Sequence, residues 1–257
     1  MNNFFNPMKW RLLLKVLPLT LVFGLVKIGV HLLHWEVWTF DSLIGALFGA
    51  VTFIIAFILS GTLNEYNASA DMTVQLVNAI ETIEDTNLLI AATNPDYNSK
   101  PLTKGLAQIL QTTLEWLKED KPLKNLEDSL FQLNYQFVEL QRVAGFPVVN
   151  RVQQELSRMR ILITRLQSNK STEFLEAADA LLDIFLVGAV IALLLIGSDL
   201  FNKNLMVSCF LFTLFSYLMF LIRDLDDPFE YDGKSCVDVD LSLLEATHKR
   251  LQQEIGG

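Results

Sequence analysis

"SLIGALFGAVTFIIAFILSGTLNEY", residues 42–66, decides the fold class. Between Asp41 and Glu65 lie 23 residues without a formal charge, enough for a helix to cross the hydrocarbon core of a bilayer, which takes about 20 apolar residues. The same stretch carries Ser42, Gly45, Gly49, Thr52, Ala56 and Ser60 at spacings of three and four. At 100° per residue these six fall within an arc of about 80°, and Phe48, Phe53, Ile54, Ile55, Phe57 and Ile58 lie outside it. A small, weakly polar face has two physical uses. It lets helix backbones approach closely, as Gly45 and Gly49 would in a G-x-x-x-G contact, or it lines a narrow, wettable pore. On this helix alone, close packing is the simpler reading.

Two further runs resemble the first in apolarity: 19 uncharged residues between Lys203 and Arg223, and 15 between Asp183 and Asp199, extended backward by Ala177 to Leu182. A fourth, from Val16 to Trp35, carries Pro18, Lys27, His31 and His34. Following Lys9 and Arg11, that run could be a signal peptide. It is longer than a signal core and no small-residue cleavage site follows, so a retained span is expected. The reading is four transmembrane helices at about 16–35, 42–61, 177–198 and 204–222. The chain is 51% hydrophobic and 19% charged, which places part of it in lipid and part in water.

Positive charges in short loops and near span ends stay on the cytoplasmic side. Lys9, Arg11 and Lys15 precede the first span, Trp35 to Asp41 holds no Lys or Arg, and Arg223 follows the fourth. Both termini and the middle region are therefore expected in the cytoplasm, with the protein in the cell or inner membrane. Cys209 lies within the fourth span and Cys236 in the tail, so no disulfide between them is expected. A net charge of -9 argues against a nucleic-acid partner, which requires a basic face.

The expected organisation is an N-terminal membrane half at 1–61, a helical insert at 62–172, a C-terminal membrane half at 173–223 and a tail at 224–257. The insert is broken at "TNPDYNSKP" (93–101), "EDKP" (119–122) and "AGFP" (144–147), where Pro and Gly end helices, giving about four helices. Leu123, Leu126, Leu130, Leu133, Phe137 and Leu140, and then Val152, Leu156, Met159, Ile163 and Leu166, recur at three and four. That is the pattern of amphipathic helices burying one face. A short helix is expected from about Leu241.

Nothing in the chain reads as an enzyme. Its three histidines, His31, His34 and His248, stand in no metal-ligand spacing, and there is neither a phosphate loop nor a nucleophile elbow. His31 and His34 have an interfacial role as the default reading and proton sensing as the alternative. Glu173, Glu176, Asp179 and Asp183 lie within an arc of about 120° leading into the third span, where carboxylates need water or a cationic partner. Asp183 is the deepest, and Lys27 is a candidate partner, although it sits nearer mid-span. After the fourth span, Asp224, Asp226, Asp227, Glu230 and Asp232 crowd into nine residues. Dense oxygen ligands could hold calcium, but Pro228 interrupts the run, and a solvated acidic turn is the competing reading.

"SLIGALFG…FILSGTLNEYNAS" resembles the second span of bestrophin-family channels, and "LIRDLDDPFEYDG…DVDLSLLEATHKRLQ" resembles that family's end of span 4 with its following short helix. The resemblance covers the four-span plan, the insert between spans 2 and 3, and two motifs of about twenty-five residues each, neither of them identical to the family's pattern. It implies an all-α, homo-oligomeric, usually pentameric channel conducting small ions through a central pore lined by span 2, which raises the pore reading of the small face above the packing reading. Thr52, Ala56 and Ser60 stand where bulky apolar residues form the family's neck, so dewetting at a hydrophobic neck is not expected to carry over unchanged. Glu65, Asp71, Glu173, Glu176, Asp179 and Asp183 near the expected mouth incline the reading to cations, with a chloride channel and a non-conducting scaffold as alternatives. The family's calcium clasp would fall on Asp224, Asp226, Asp227 and Glu230.

Overall fold

The computed structural model of the chain describes residues 7–171, 176–231, 233, 235 and 237–256; for 7–9, 171 and 176–179 it describes the backbone. Its elements are helical apart from one bridge of two short strands. In chain order they are α1 (Pro7–Leu32), β1 (Trp38–Thr39), α2 (Ser42–Thr93), α3 (Lys100–Glu119), α4 (Leu123–Val143), α5 (Phe146–Ser171), α6 (Glu176–Leu195), β2 (Ile196–Gly197), α7 (Phe201–Asp226) and α8 (Ser242–Gly256). Three helices, α1, α2 and α7, are long and apolar enough to cross a membrane, and the described apolar stretch of α6, Ala180–Leu195, is shorter. The third expected span coincides with α6, which runs for 20 residues and carries Asp183 two turns from its start.

The longest element is α2. Asp41 opens it: its Oδ1 accepts the Ile44 N–H at 2.9 Å, an N-cap that satisfies an orphan donor at the positive end of the helix dipole. Beyond Gly61 no Pro or Gly occurs until Pro95, so nothing in the backbone stops the helix where the side chains turn polar. It runs on unbroken for 52 residues. The boundary expected at 61/62 is thus a change of surroundings inside one helix.

Chain contacts divide the molecule into two compact units. The first comprises Met1–Tyr66, Thr172–Pro228 and Asp232–Asp238; the second comprises Asn67–Ser171, Phe229–Tyr231 and Val239–Gly257. The two membrane halves form one body, and the C-terminal helix joins the insert.

In the first unit α1 lies along α7. Phe23 stacks on Phe212 at 4.4 Å between ring centroids, and the Thr20 and Thr213 hydroxyls are 2.8 Å apart. Val51, Ile55 and Ile58 of α2 bury against Leu182 and Ala189 of α6 and Phe215 and Ile222 of α7. Leu21, Leu25, Phe210 and Met206 stay exposed, as side chains meeting lipid should.

The second unit is a helical bundle with the periodicity expected of it. Leu126, Leu130, Leu133, Phe137 and Leu140 of α4 and Val152, Leu156, Met159, Ile163 and Leu166 of α5 are buried. Lys170 closes the end of α3: its Nζ donates to Trp116 O at 2.9 Å and pairs with Asp120 at 2.6 Å, supplying a partner to a carbonyl left open by the helix terminus. Leu244 and Leu251 bury the inner face of α8, and on its rim Glu245 meets Lys118 and Arg250 meets Glu81 at 2.8 Å.

Candidate functional site

The small face of α2 takes no part in the core of the first unit. Ile44, Val51, Ile55, Ile58 and Thr62 are the buried residues of this segment, whereas Ser42, Gly49, Thr52, Ala56 and Ser60 are exposed and Gly45 is half-buried. At 100° per residue the buried set is centred about 130° from the small set. A Cβ added at Gly49 would find no atom within 4 Å, and one at Gly45 would meet only the tip of Phe40 at 3.9 Å. Among the described residues these glycines therefore make no close helix contact. Phe53 and Phe57 flank the face at 71% and 73% exposure. The Thr52 hydroxyl donates to Phe48 O at 2.8 Å, which satisfies the donor within its own helix and leaves the oxygen outward.

The acidic residues scatter. Glu65 and Asp71 are both exposed on α2. By helical rotation Asp71 lies about 60° from the centre of the small face and Glu65 about 180° from it, so the two do not share that face. Asp183 is half-exposed and paired with Arg223 at 3.0 Å. Lys27 is engaged elsewhere and is not its partner. Glu173 lies outside the described residues, and Glu176 and Asp179 sit in the first turn of α6, with side chains outside the described set. Asp224 and Asp226 end α7, with Asp227 and Glu230 just beyond. Among the described residues, no three His, Cys, Asp or Glu side chains gather as they would around a metal ion.

One polar cluster escaped the sequence reading. The Lys27 side chain is fully buried in α1, and its Nζ lies 3.1 Å from Glu36 Oε1, 3.0 Å from Leu194 O and against Ile196 O. His31 Nδ1 is 2.8 Å from Glu36 Oε2. The signal available in the sequence was Lys27 and His31 one helical turn apart, with a lone acid just past the helix end.

Solved structures resemble this arrangement along nearly the whole chain. An isoleucine-to-threonine variant of a bacterial bestrophin homologue from Klebsiella pneumoniae superposes with a TM-score of 0.77 at 15% identity, covering 98% of this chain and 100% of its own. The fold is bestrophin-like. A leucine-to-threonine variant of the Klebsiella pneumoniae homologue gives 0.76 at 15% identity, with 97% and 99% covered. A crystal structure of a membrane protein with a proline-to-alanine change gives 0.76 at 14% identity, with 98% and 100% covered. No protein-family model and no curated protein matches the sequence. The bestrophin-like fold, with three helices long and apolar enough to span a bilayer, makes this an all-α integral membrane protein.

Proposed function

We propose that the protein is a homo-oligomeric ion channel, pentameric by resemblance, in which residues 42–61 of α2 line a central pore and small ions pass without an energy source. Both termini and the helical insert are read as cytoplasmic. The observation that carries this reading is the unpacked small face: five of its six residues are exposed, and the backbone at Gly49 has open space around it. A row of Gly, Ser and Thr gains little from lipid tails, but it suits a narrow water-filled path. Copies arranged about α2 would give each face such a path.

The inclination is to cations, through Asp71 and the carboxylates of the α5–α6 region. The rival is a non-conducting oligomer in which Gly45 and Gly49 form helix contacts between copies. Reconstitution of the purified oligomer in a planar bilayer under a KCl gradient tests both. The expected reversal lies on the potassium side; a chloride-side reversal keeps the channel and inverts the selectivity. Ala56→Phe is expected to reduce current at least tenfold in oligomers of unchanged size, because a ring of phenyl groups at one level fills a narrow lumen. Full current in Ala56→Phe oligomers would remove α2 from the pore. Silence of the intact wild-type oligomer would favour the rival.

A further inference from the structure

The buried cluster around Lys27 links four elements of the first unit. Lys27 comes from α1, Glu36 from the connector between α1 and α2, Leu194 and Ile196 from the end of α6 and β2, and Asn204 from the first turn of α7, whose Nδ2 donates to Ile196 O at 2.8 Å. An ammonium has three donors, and two of them reach Leu194 O and Ile196 O; Glu36 Oε1, 3.1 Å away, is the ion-pair partner and is itself buried without a hydrogen bond. The two carbonyls stand at the C-terminal end of α6, where unpaired acceptors and the negative end of the helix dipole favour a cation.

Glu36 is held from both sides. Lys27 meets Oε1 at 3.1 Å and His31 meets Oε2 at 2.8 Å. The His31 ring is itself stacked on Phe201 of α7, 3.8 Å between centroids. A Cβ at Gly197 would come within 3.0 Å of Glu36 Cβ, so glycine is what lets the carboxylate lie against β2. Two residues after Glu36 the chain enters β1, which pairs in parallel with β2, Trp38 opposite Ile196 and Thr39 opposite Gly197. Asp41 then caps α2.

We propose that Lys27, Glu36 and His31 form a latch that fastens the α1–α2 connector to the α6–α7 connector and that acid releases. The latch depends on one carboxylate. When Glu36 is neutralised, Lys27 is left as a buried cation whose only remaining partners are carbonyls, a costly state, and the two-residue β1–β2 bridge is too short to hold by itself. The other ionisable groups on these elements, His34, Asp41, Asp199 and Lys203, are exposed and form no ion pair with Glu36 among the described residues. Burial works against the charge on Glu36, but the His31 contact and the Lys27 ammonium beside it outweigh burial and hold the carboxyl below its ordinary value of 4.5. A lowered carboxylate pKa means that the latch is complete above that ordinary value and is lost as pH falls through the lowered one. If α2 lines a pore, the same event frees the segment leading into its first turn. The latch itself does not depend on conduction.

Hydrogen exchange of peptides covering residues 35–41 and 194–200, measured on the whole oligomer in lipid and corrected for intrinsic rates, reads the latch without any current. Protection is expected not to fall between pH 8 and pH 5 and to drop about tenfold or more in acid, while α3 and α8 peptides stay protected. In Glu36→Gln, protection should already be reduced about tenfold at pH 7, since one partner of a buried pair is removed. The double variant Lys27→Met/Glu36→Met leaves no buried charge and should fold, with connector protection that no longer responds to acid. Wild-type acid dependence in the double variant, or wild-type protection in Glu36→Gln at pH 7, would overturn the proposal.

Discussion

Glu84 is a buried carboxylate held by hydroxyl and amide groups in place of a cation. Thr103 Oγ1 donates to its Oε1 at 2.7 Å and Asn87 Nδ2 to its Oε2 at 3.3 Å, while Asn87 also accepts the Tyr97 hydroxyl at 2.7 Å. Arg250, the cation nearest in role, is paired with Glu81. Burial raises the Glu84 pKa above its ordinary value against the hydrogen bonds of Thr103 and Asn87, and burial, with the charges of Glu84 and Glu139, pushes Tyr97 up to about 12. For a carboxyl whose folded pKa is raised, the favourable contribution is complete below the unfolded value and is lost as pH rises through the folded one. The second unit should therefore lose thermal stability as pH rises above the ordinary carboxyl value of 4.5 and through the raised one. Glu84→Gln keeps an acceptor for Thr103 and removes the buried charge, so its apparent Tm at pH 8 should rise by about 3–6 °C, the shift expected for roughly 1 kcal/mol in a domain of this size, and should lose that pH dependence. A Tm unchanged at pH 8 would mean that the ionised form is well solvated in the folded bundle.

Between elements, the most closely packed of the described glycines is Gly105, where α3 meets α4. A Cβ there would fall 2.0 Å from Gln136 Oε1 and 2.8 Å from Leu133 Cδ1, and Gln136 Oε1 is buried without a hydrogen-bond partner. Gly105→Ala should destabilise the bundle by about 1–3 kcal/mol through overpacking, partly offset by the gain of alanine over glycine in a helix. Gln136→Ala in the same chain should restore most of the loss, and a double-mutant cycle on thermal unfolding reads that coupling. Additive effects would place the strain on Leu133. The helices of this bundle were legible because apolar residues recur at three and four, and Pro and Gly mark their ends; α3, α4, α5 and α8 lie where that grammar puts them. The continuity of α2 was not, because hydropathy changes at Thr62 while the backbone has no reason to stop. The Lys27 cluster was hidden for a different reason: it needs the chain to reverse at His34, whose φ is 56°, and to return to the end of α6, neither of which is a property of local spacing. The small face of α2 was legible as a pattern. That it stays out of the described core became visible only when Val51, Ile55 and Ile58 were found to supply the buried side.

For the whole molecule, if the proposed channel conducts, charge at its mouth should decide which ions pass, and the Asp183–Arg223 pair is where that can be tested. The chain carries a net charge of -9, yet net charge says little about a pathway, since what matters is which carboxylates face it uncompensated. At 3.0 Å and half-exposed on both sides, Asp183 and Arg223 nearly cancel at a distance, so the pair as it stands favours neither sign of ion. Removing one member breaks that balance in a known direction. Arg223→Gln leaves one additional negative charge per copy; for an ion about 8 Å away this amounts to roughly 0.5–2 kcal/mol between effective dielectrics of 80 and 20, or a two- to thirty-fold rise in local cation concentration. Reversal potentials under a KCl gradient should move toward potassium in Arg223→Gln and toward chloride in Asp183→Asn, with both shifts shrinking as salt is raised and screening shortens their reach. Opposite shifts from the two variants would place the pair beside the ion path and make Arg223 the residue that holds back cation selectivity. Identical reversal potentials in all three proteins, with oligomers intact, would assign the pair to fastening α6 to α7 and take it out of the proposed selectivity.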